Sequence, residues 1–167
     1  QLLAAGIPGA AITVIPNGVD LPEASSDPRA DNEVLFVGNL SQGAGHKAFD
    51  VLIAAWARVH RELPDARLIV LGGGDSTGWR SLAQAEGCGE SIHFPGFVSD
   101  PASFYRRATV FVLPSRHEGM SNALLEAQSW GVPAVASRIP GNAAVVDDGV
   151  TGLLVPVGDA QALATAL

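Results

Sequence analysis

From Glu33 onward, apolar runs of strand length recur with helix-length segments between them, and this alternation limits the chain to very few folds. The runs are Glu33-Val-Leu-Phe-Val37, Arg67-Leu-Ile-Val-Leu71, Ser91-Ile-His-Phe94, Thr109-Val-Phe-Val-Leu113, Ala134-Val-Ala136 and Gly152-Leu-Leu-Val155. They are short and rich in β-branched and aliphatic residues, as buried strands are. Between them, residues 47–61 place Phe49, Leu52, Ile53, Trp56 and Val59 at helical spacing. Further helices are expected over 79–86, ending at Gly87, over 101–107, over 123–130 and from Asp159 onward. Pro64-Asp65, Pro95-Gly96 and Pro140-Gly141 mark turns. Alternation at this interval implies a mostly parallel sheet covered on both faces, an α/β domain in three layers, with ligands at the carboxyl ends of the strands. Upstream, Ala11-Ile-Thr-Val-Ile15 is a further strand candidate closed by a turn at Asn17-Gly18, and residues 21–32 read as loop.

The most informative connection follows Thr109-Val-Phe-Val-Leu113. Pro114-Ser-Arg-His-Glu-Gly-Met-Ser-Asn runs into a helix that Ser121 or Asn122 can cap and that Gly131 can end in the left-handed conformation. Such a loop leaves the backbone N–H groups of Gly119, Met120, Ser121 and Asn122 pointing off the sheet, where the helix dipole also favours negative charge. The result is an anion site suited to phosphate. Glu118 sits in the loop and Glu126 eight positions on, inside the helix. A carboxylate beside an anion site repels the anion, so both are better suited to accept hydrogen bonds from sugar hydroxyls on either side of a phosphate bridge. Taken singly, Glu118 would be a solvated loop residue and Glu126 an exposed helical charge. The strand, turn and helix around them favour the binding role.

Composition narrows the function classes. Apolar residues make up 47% and charged residues 16% of 167, which excludes a disordered chain. A net charge of −7 argues against a nucleic-acid surface, though not against nucleotides held by local dipoles. The lone Cys88 excludes an internal disulfide and a Cys-rich metal cluster, and fits a reducing, cytoplasmic compartment. No apolar run is long enough to span a bilayer. The chain begins at Gln1 with no leader and stops inside its last helix, so it is expected to be one domain of a longer protein.

The segment Glu-Gly-Met-Ser-Asn-Ala-Leu-Leu-Glu-Ala, with its Glu-x7-Glu spacing, resembles the signature of the retaining GT-B glycosyltransferases of the family 4, or group 1, type. The likeness extends from Val14 to Leu167 and includes Val-Ile-Pro-Asn-Gly-Val-Asp, similar to the segment leading into the donor domain of GT-B enzymes. It implies a Rossmann-like α/β/α domain forming the C-terminal half of such an enzyme. Residues 1–20 would be an interdomain linker with a leading strand, and 21–167 the nucleotide-sugar domain, its last helix truncated and the acceptor domain absent.

Carried over position by position, the resemblance assigns Glu118 to the transferred sugar, the amides of Gly119 to Asn122 to the diphosphate, and Glu126 to the ribose. Gly38-Asn-Leu-Ser-Gln-Gly-Ala-Gly-His-Lys47 resembles the family's Val-Gly-Arg-Leu…Lys-Gly segment, which makes Lys47 a second catalytic candidate, clamping the diphosphate from beside Gly38. Asn39 replaces the family's Arg, the loop is longer, and Ala48 replaces Gly. An amide cannot supply a charged fork, so the departure at Asn39 weakens the clamp. Gly72-Gly-Gly-Asp75 resembles the family's Gly-x-Gly, with Gly73 and Gly74 approaching the donor. Phe94-Pro-Gly-Phe-Val98 resembles the segment that meets the nucleobase, with Phe97 or Val98 nearest the ring. Phe94 reads better as a core aromatic. Met120 replaces the usual Phe.

The resemblance further implies a UDP- or GDP-sugar donor, no metal or other cofactor, and an acceptor sugar, lipid or small molecule held by the missing domain. It leaves peripheral membrane association of the longer protein open. Alone, the chain is expected to bind nucleotide weakly and transfer nothing.

Other motifs fail on inspection. Gly38 and Gly43 have the first spacing of a P-loop, but Ala44 stands where the lysine must be. No Gly-x-Gly-x-x-Gly follows the first strand, against a nicotinamide dehydrogenase. Ser121 lies beyond the position a nucleophile elbow requires. His46, His60, His93 and His117 lack ligand spacing for zinc, and Arg116 and His117 read as solvated loop residues. Two other classes use the same scaffold: an epimerase or phosphorylase of GT-B type, and a non-catalytic nucleotide- or partner-binding domain.

Overall fold

Strand β1 (Glu33–Val37) occupies the middle of the sheet, because Val34, Leu35 and Phe36 are apolar on both faces and all three are buried. The structure, a computed structural model, describes residues 6, 8–9, 13, 15–22 and 29–167. The strand expected over 11–15 falls mostly outside the described residues, as does much of the loop at 21–32. The remaining strands are β2 (Arg67–Leu71), β3 (Ile92–Gly96), β4 (Val110–Leu113), β5 (Ala134–Ser137) and β6 (Gly152–Val155). They form a six-stranded sheet in the order β3-β2-β1-β4-β5-β6, parallel throughout.

The chain builds outward from β1 to β3 and then returns to lay β4 on the other side of β1. The order therefore reverses between β1 and β4. At such a switch point the two connections leave the sheet in opposite directions and open a crevice at the carboxyl ends of the strands.

The helices are α1 (Phe49–Glu62), α2 (Thr77–Ala85), α3 (Ala102–Arg107), α4 (Asn122–Ser129), α5 (Pro140–Ala143) and α6 (Ala160–Ala166). Helix α1 runs against α6 and α2, while α3 lies by β1 and α4 by β4 and β5, so the sheet is covered on both faces. Phe49, Leu52, Ile53, Trp56 and Val59 form the buried stripe of α1, as the spacing predicts. Trp56 is fully buried, and its indole N–H donates to Ser91 Oγ at 2.9 Å. That bond satisfies the one polar atom of a side chain whose burial contributes several kcal/mol, on the order of 25 cal/mol per Å².

Several boundaries differ from expectation: α2 starts at Thr77 rather than at 79, and β3 runs on through Pro95-Gly96, where a turn was expected. Helix α1 starts at Phe49 because Lys47 ends a 3-10 turn (Gln42–Lys47) and Ala48 adopts the left-handed conformation, φ 51°, which no α-helix accommodates. Where only a turn was expected at Pro140-Gly141, the single-turn helix α5 forms, with Pro140 at its first position. Gly131 is left-handed as expected (φ 67°), and Val132 N–H bonds back to Ala127 O at 2.9 Å to close α4.

Candidate functional site

Both connections at the switch point carry a charged residue, and the two meet. Lys47 Nζ donates to Glu118 Oε1, joining the β1–α1 loop to the β4–α4 loop. The side chains are only 16% and 12% exposed, so each charge is largely withdrawn from water and depends on the other. Glu118 is also held from its own loop: the buried Ser115 donates from Oγ to Glu118 Oε1 at 3.0 Å.

That support continues downward. Ser137 Oγ donates to Ser115 O, and Asn142 Nδ2 donates to Ser137 O and Ser137 Oγ at 2.9 and 3.1 Å. All three residues are buried. A polar column thus runs from α5 through the end of β5 to the carboxylate. Gly141 makes the close packing possible: a Cβ there would lie 2.4 Å from Gly119 O and 2.5 Å from Glu118 O.

Beyond Glu118 the loop opens into the N-terminus of α4. Ser121 Oγ accepts from Leu124 N–H at 3.4 Å, which settles the cap on Ser121 rather than Asn122 and leaves this hydroxyl employed in the helix end. Among the described residues, none accepts a hydrogen bond from the backbone N–H of Gly119, Met120, Ser121 or Asn122. These donors stand at the positive end of a helix dipole, where an anion is stabilised. Met120 is half-buried. From the upstream segment, Asn17 Nδ2 donates to Asn122 Oδ1 at 2.8 Å and to Met120 O at 3.4 Å.

The β1 and β2 loops are stacked backbone on backbone. Leu40 N–H donates to Gly73 O at 2.9 Å, and a Cβ on Gly72 would fall 1.8 Å from Gly38 O. Gly74, at φ 106°, would put a Cβ 2.6 Å from Ser41 N. Only glycine fits either position. Gly38 lies against Lys47, its Cβ position 3.6 Å from Lys47 Cε. Asn39 Oδ1 accepts from Ser41 N–H at 2.8 Å, so the residue that replaces an expected arginine closes its own turn. Phe97 is 79% exposed near Gly73, whereas Val98 and Phe94 pack on the core. Phe94 stacks under Arg80, whose Cζ lies 4.5 Å from the ring centre.

Glu126 takes a different partner. Its Oε2 accepts from the buried Tyr105 hydroxyl on α3 at 2.7 Å. Burial, and secondarily the carboxylate, push the Tyr105 hydroxyl well above the ordinary tyrosine range, so it stays a donor at every working pH. Glu126 is thus half-buried and fixed, not an exposed helical charge.

Arg116 corrects another expectation. Far from a free loop residue, its guanidinium grips Asp50 bidentately at 3.0 and 2.7 Å and donates to Gly45 O at 2.9 Å. Asp50, in the first turn of α1, is held below the ordinary carboxylate range by this hydrogen-bonded guanidinium. Nothing local announces the pair, because its members are 66 residues apart. Alongside lies a cleft of about 440 Å³ lined by His46, Arg116, His117, Glu118, Gly119, Ile139 and Pro140.

Comparison with known proteins places this geometry in context. The family model described as glycosyl transferases group 1 matches residues 31–167. The phosphatidyl-myo-inositol mannosyltransferase of Mycobacterium leprae is 38% identical over 162 residues, covering 92% of this chain and 42% of its own length. A D-inositol 3-phosphate glycosyltransferase of Thermobifida fusca is 33% identical, with 96% of this chain and 41% of that protein covered. The crystal structure of the pneumococcal O-GlcNAc transferase GtfA in complex with UDP and GlcNAc superposes with a TM-score of 0.81 at 26% identity, over 92% of this chain and 32% of that one. The lipopolysaccharide outer core galactosyltransferase WaaB, in its apo form, shares the fold at a TM-score of 0.78 and 23% identity, over 99% of this chain and 48% of that one. The chain spans about two fifths of the length of the relatives it matches. Among the described residues no helix is long and apolar enough to cross a membrane.

Proposed function

The chain belongs to the group 1 glycosyl transferases, and from that premise we propose that it is the donor-binding half of a retaining enzyme using a nucleotide-diphospho-sugar. The observation that carries the reading is the Lys47–Glu118 pair spanning the β1/β4 switch point beside amides with no acceptor among the described residues. A diphosphate laid there would take its hydrogen bonds from the amides of Gly119 to Asn122 and share the ammonium of Lys47. Negative charge grows on the leaving diphosphate as its bond to the sugar breaks, and pre-aimed donors at that spot lower the barrier most. Glu118, released in part from Lys47, would accept from a sugar hydroxyl, while Ser115 keeps it in place. Glu126 would meet the ribose with Tyr105 behind it. Phe97 or Val98 would flank the base, above Gly73 and Gly74. With amides and a lysine neutralising the diphosphate, no metal is required. The acceptor would sit on a second domain, in a cytoplasmic enzyme.

The test is calorimetric titration of the full-length protein with UDP, GDP, NAD and inorganic phosphate, followed by sugar transfer. The reading expects a nucleoside diphosphate to bind, and Lys47→Ala to weaken it by about 10- to 100-fold, the value of a charge-assisted hydrogen bond. Binding of phosphate or NAD alone would favour an epimerase or phosphorylase. Transfer that survives both Lys47→Ala and Glu118→Gln would overturn these roles. The isolated chain should bind nucleotide weakly and transfer nothing.

A further inference from the structure

The site has a second link between its two walls, one that no donor would need to break. Arg116 N–H donates to His46 O at 2.6 Å, and the Arg116 guanidinium reaches Gly45 O and both oxygens of Asp50. Lys47 stands inside the segment so gripped, and Glu118 lies two residues beyond Arg116. We propose that Arg116 and Asp50 are a positioning latch that keeps Lys47 and Glu118 in register when a donor enters between them and divides their ion pair. This deepens the donor reading and rests on it.

The argument is one of which link survives. Lys47 cannot serve a diphosphate and stay fully committed to Glu118, so the direct contact across the crevice weakens at the moment geometry matters most. The fork from Arg116 ends on Asp50 in the first turn of α1 and uses neither Lys47 nor Glu118, so it is free to remain closed. Its members are 37% and 49% exposed, so as a stabilising contact it contributes little. What a planar fork supplies is orientation: two parallel N–H···O bonds fix both the distance and the angle between the loops, which a single ammonium contact does not.

The experiment uses the full-length protein and the variants Asp50→Ala, Arg116→Ala, Arg116→Lys and the Asp50→Ala/Arg116→Ala double. Amide hydrogen exchange is followed over residues 45–48 and 117–121, with UDP and GDP binding and sugar transfer measured in parallel. The latch predicts faster exchange in both segments from either single change. It also predicts about a tenfold loss of transfer, no rescue by Arg116→Lys, and a double variant no worse than the singles. Exchange confined to the mutated loop, or additive losses in the double variant, would overturn it. If neither UDP nor GDP binds the unaltered protein, the donor reading fails, while the exchange pattern still decides whether the two loops are coupled.

Discussion

Replacing Gly141 by alanine should cost this protein its site geometry before it costs the fold. The added Cβ would stand 2.4 Å from Gly119 O and 2.5 Å from Glu118 O, where an ordinary contact begins at 3.4 Å. The backbone of either α5 or the 118–119 loop must retreat by 3.4 − 2.4, about 1 Å. No flexible side chain is available to absorb the shift, because both opposing atoms are main-chain carbonyls. Helix α5 is anchored by the buried Asn142 to Ser137, so the loop should yield, carrying Glu118 with it. Overpacking of this kind destabilises by about 1–3 kcal/mol, and a displacement near 1 Å at a reacting group lowers the rate by about 100-fold.

Urea unfolding and steady-state sugar transfer by the full-length protein would measure the two effects separately. Gly119→Ala is the control, since a Cβ there meets nothing within 4 Å and should leave stability within about 0.5 kcal/mol. If Gly119 amides cradle a diphosphate, however, the same methyl should impair donor binding. A Gly141→Ala protein with unaltered stability and unaltered transfer would refute the reasoning.

Two other outcomes are expected. Tyr105→Phe removes the donor to Glu126 and should cost about 1.5 kcal/mol, the low end for a charged acceptor because Glu126 keeps some solvent. It would be read as a lower urea midpoint at constant slope, and no shift would mean the bond contributes nothing. For Asp50, a carboxyl depressed by Arg116 contributes stability that is complete above its unfolded value of about 3.8 and is lost as pH falls through the lower folded value. An NMR titration of the Asp50 carboxyl carbon should therefore have its midpoint below 3.8, with the loops still coupled at neutral pH. A midpoint at or above 3.8 would rule out the persistent pair.

Strand and helix identities were legible because apolar runs and helical spacing are local signals, and β1, β2, β4 and α1 follow them closely. The loop from Pro114 to Ser121 was legible for a similar reason: a strand end, a glycine and a capping serine fall in consecutive sequence. Contacts between distant segments left no comparable trace. Arg116 finds Asp50, Tyr105 finds Glu126, and Ser137 finds Ser115 only after the sheet has formed. The left-handed Ala48 was equally hidden, since alanine normally favours the helix it interrupts here. Its position where the family places glycine was the one hint in the sequence, and the backbone angle gives that hint a physical meaning.

The meeting of Lys47 with Glu118 bridges a gap of 71 residues, and it requires β4 to dock beside β1, whose other edge pairs with β2. Contacts so remote in the chain close late, after the loop entropy of the intervening segments has been spent. During synthesis, the first half would emerge with Lys47 and Asp50 both lacking their partners Glu118 and Arg116, and only the arrival of the second half would complete the crevice. If the crevice binds a donor as proposed, that binding would report finished folding rather than a property that any excised peptide around either loop could carry.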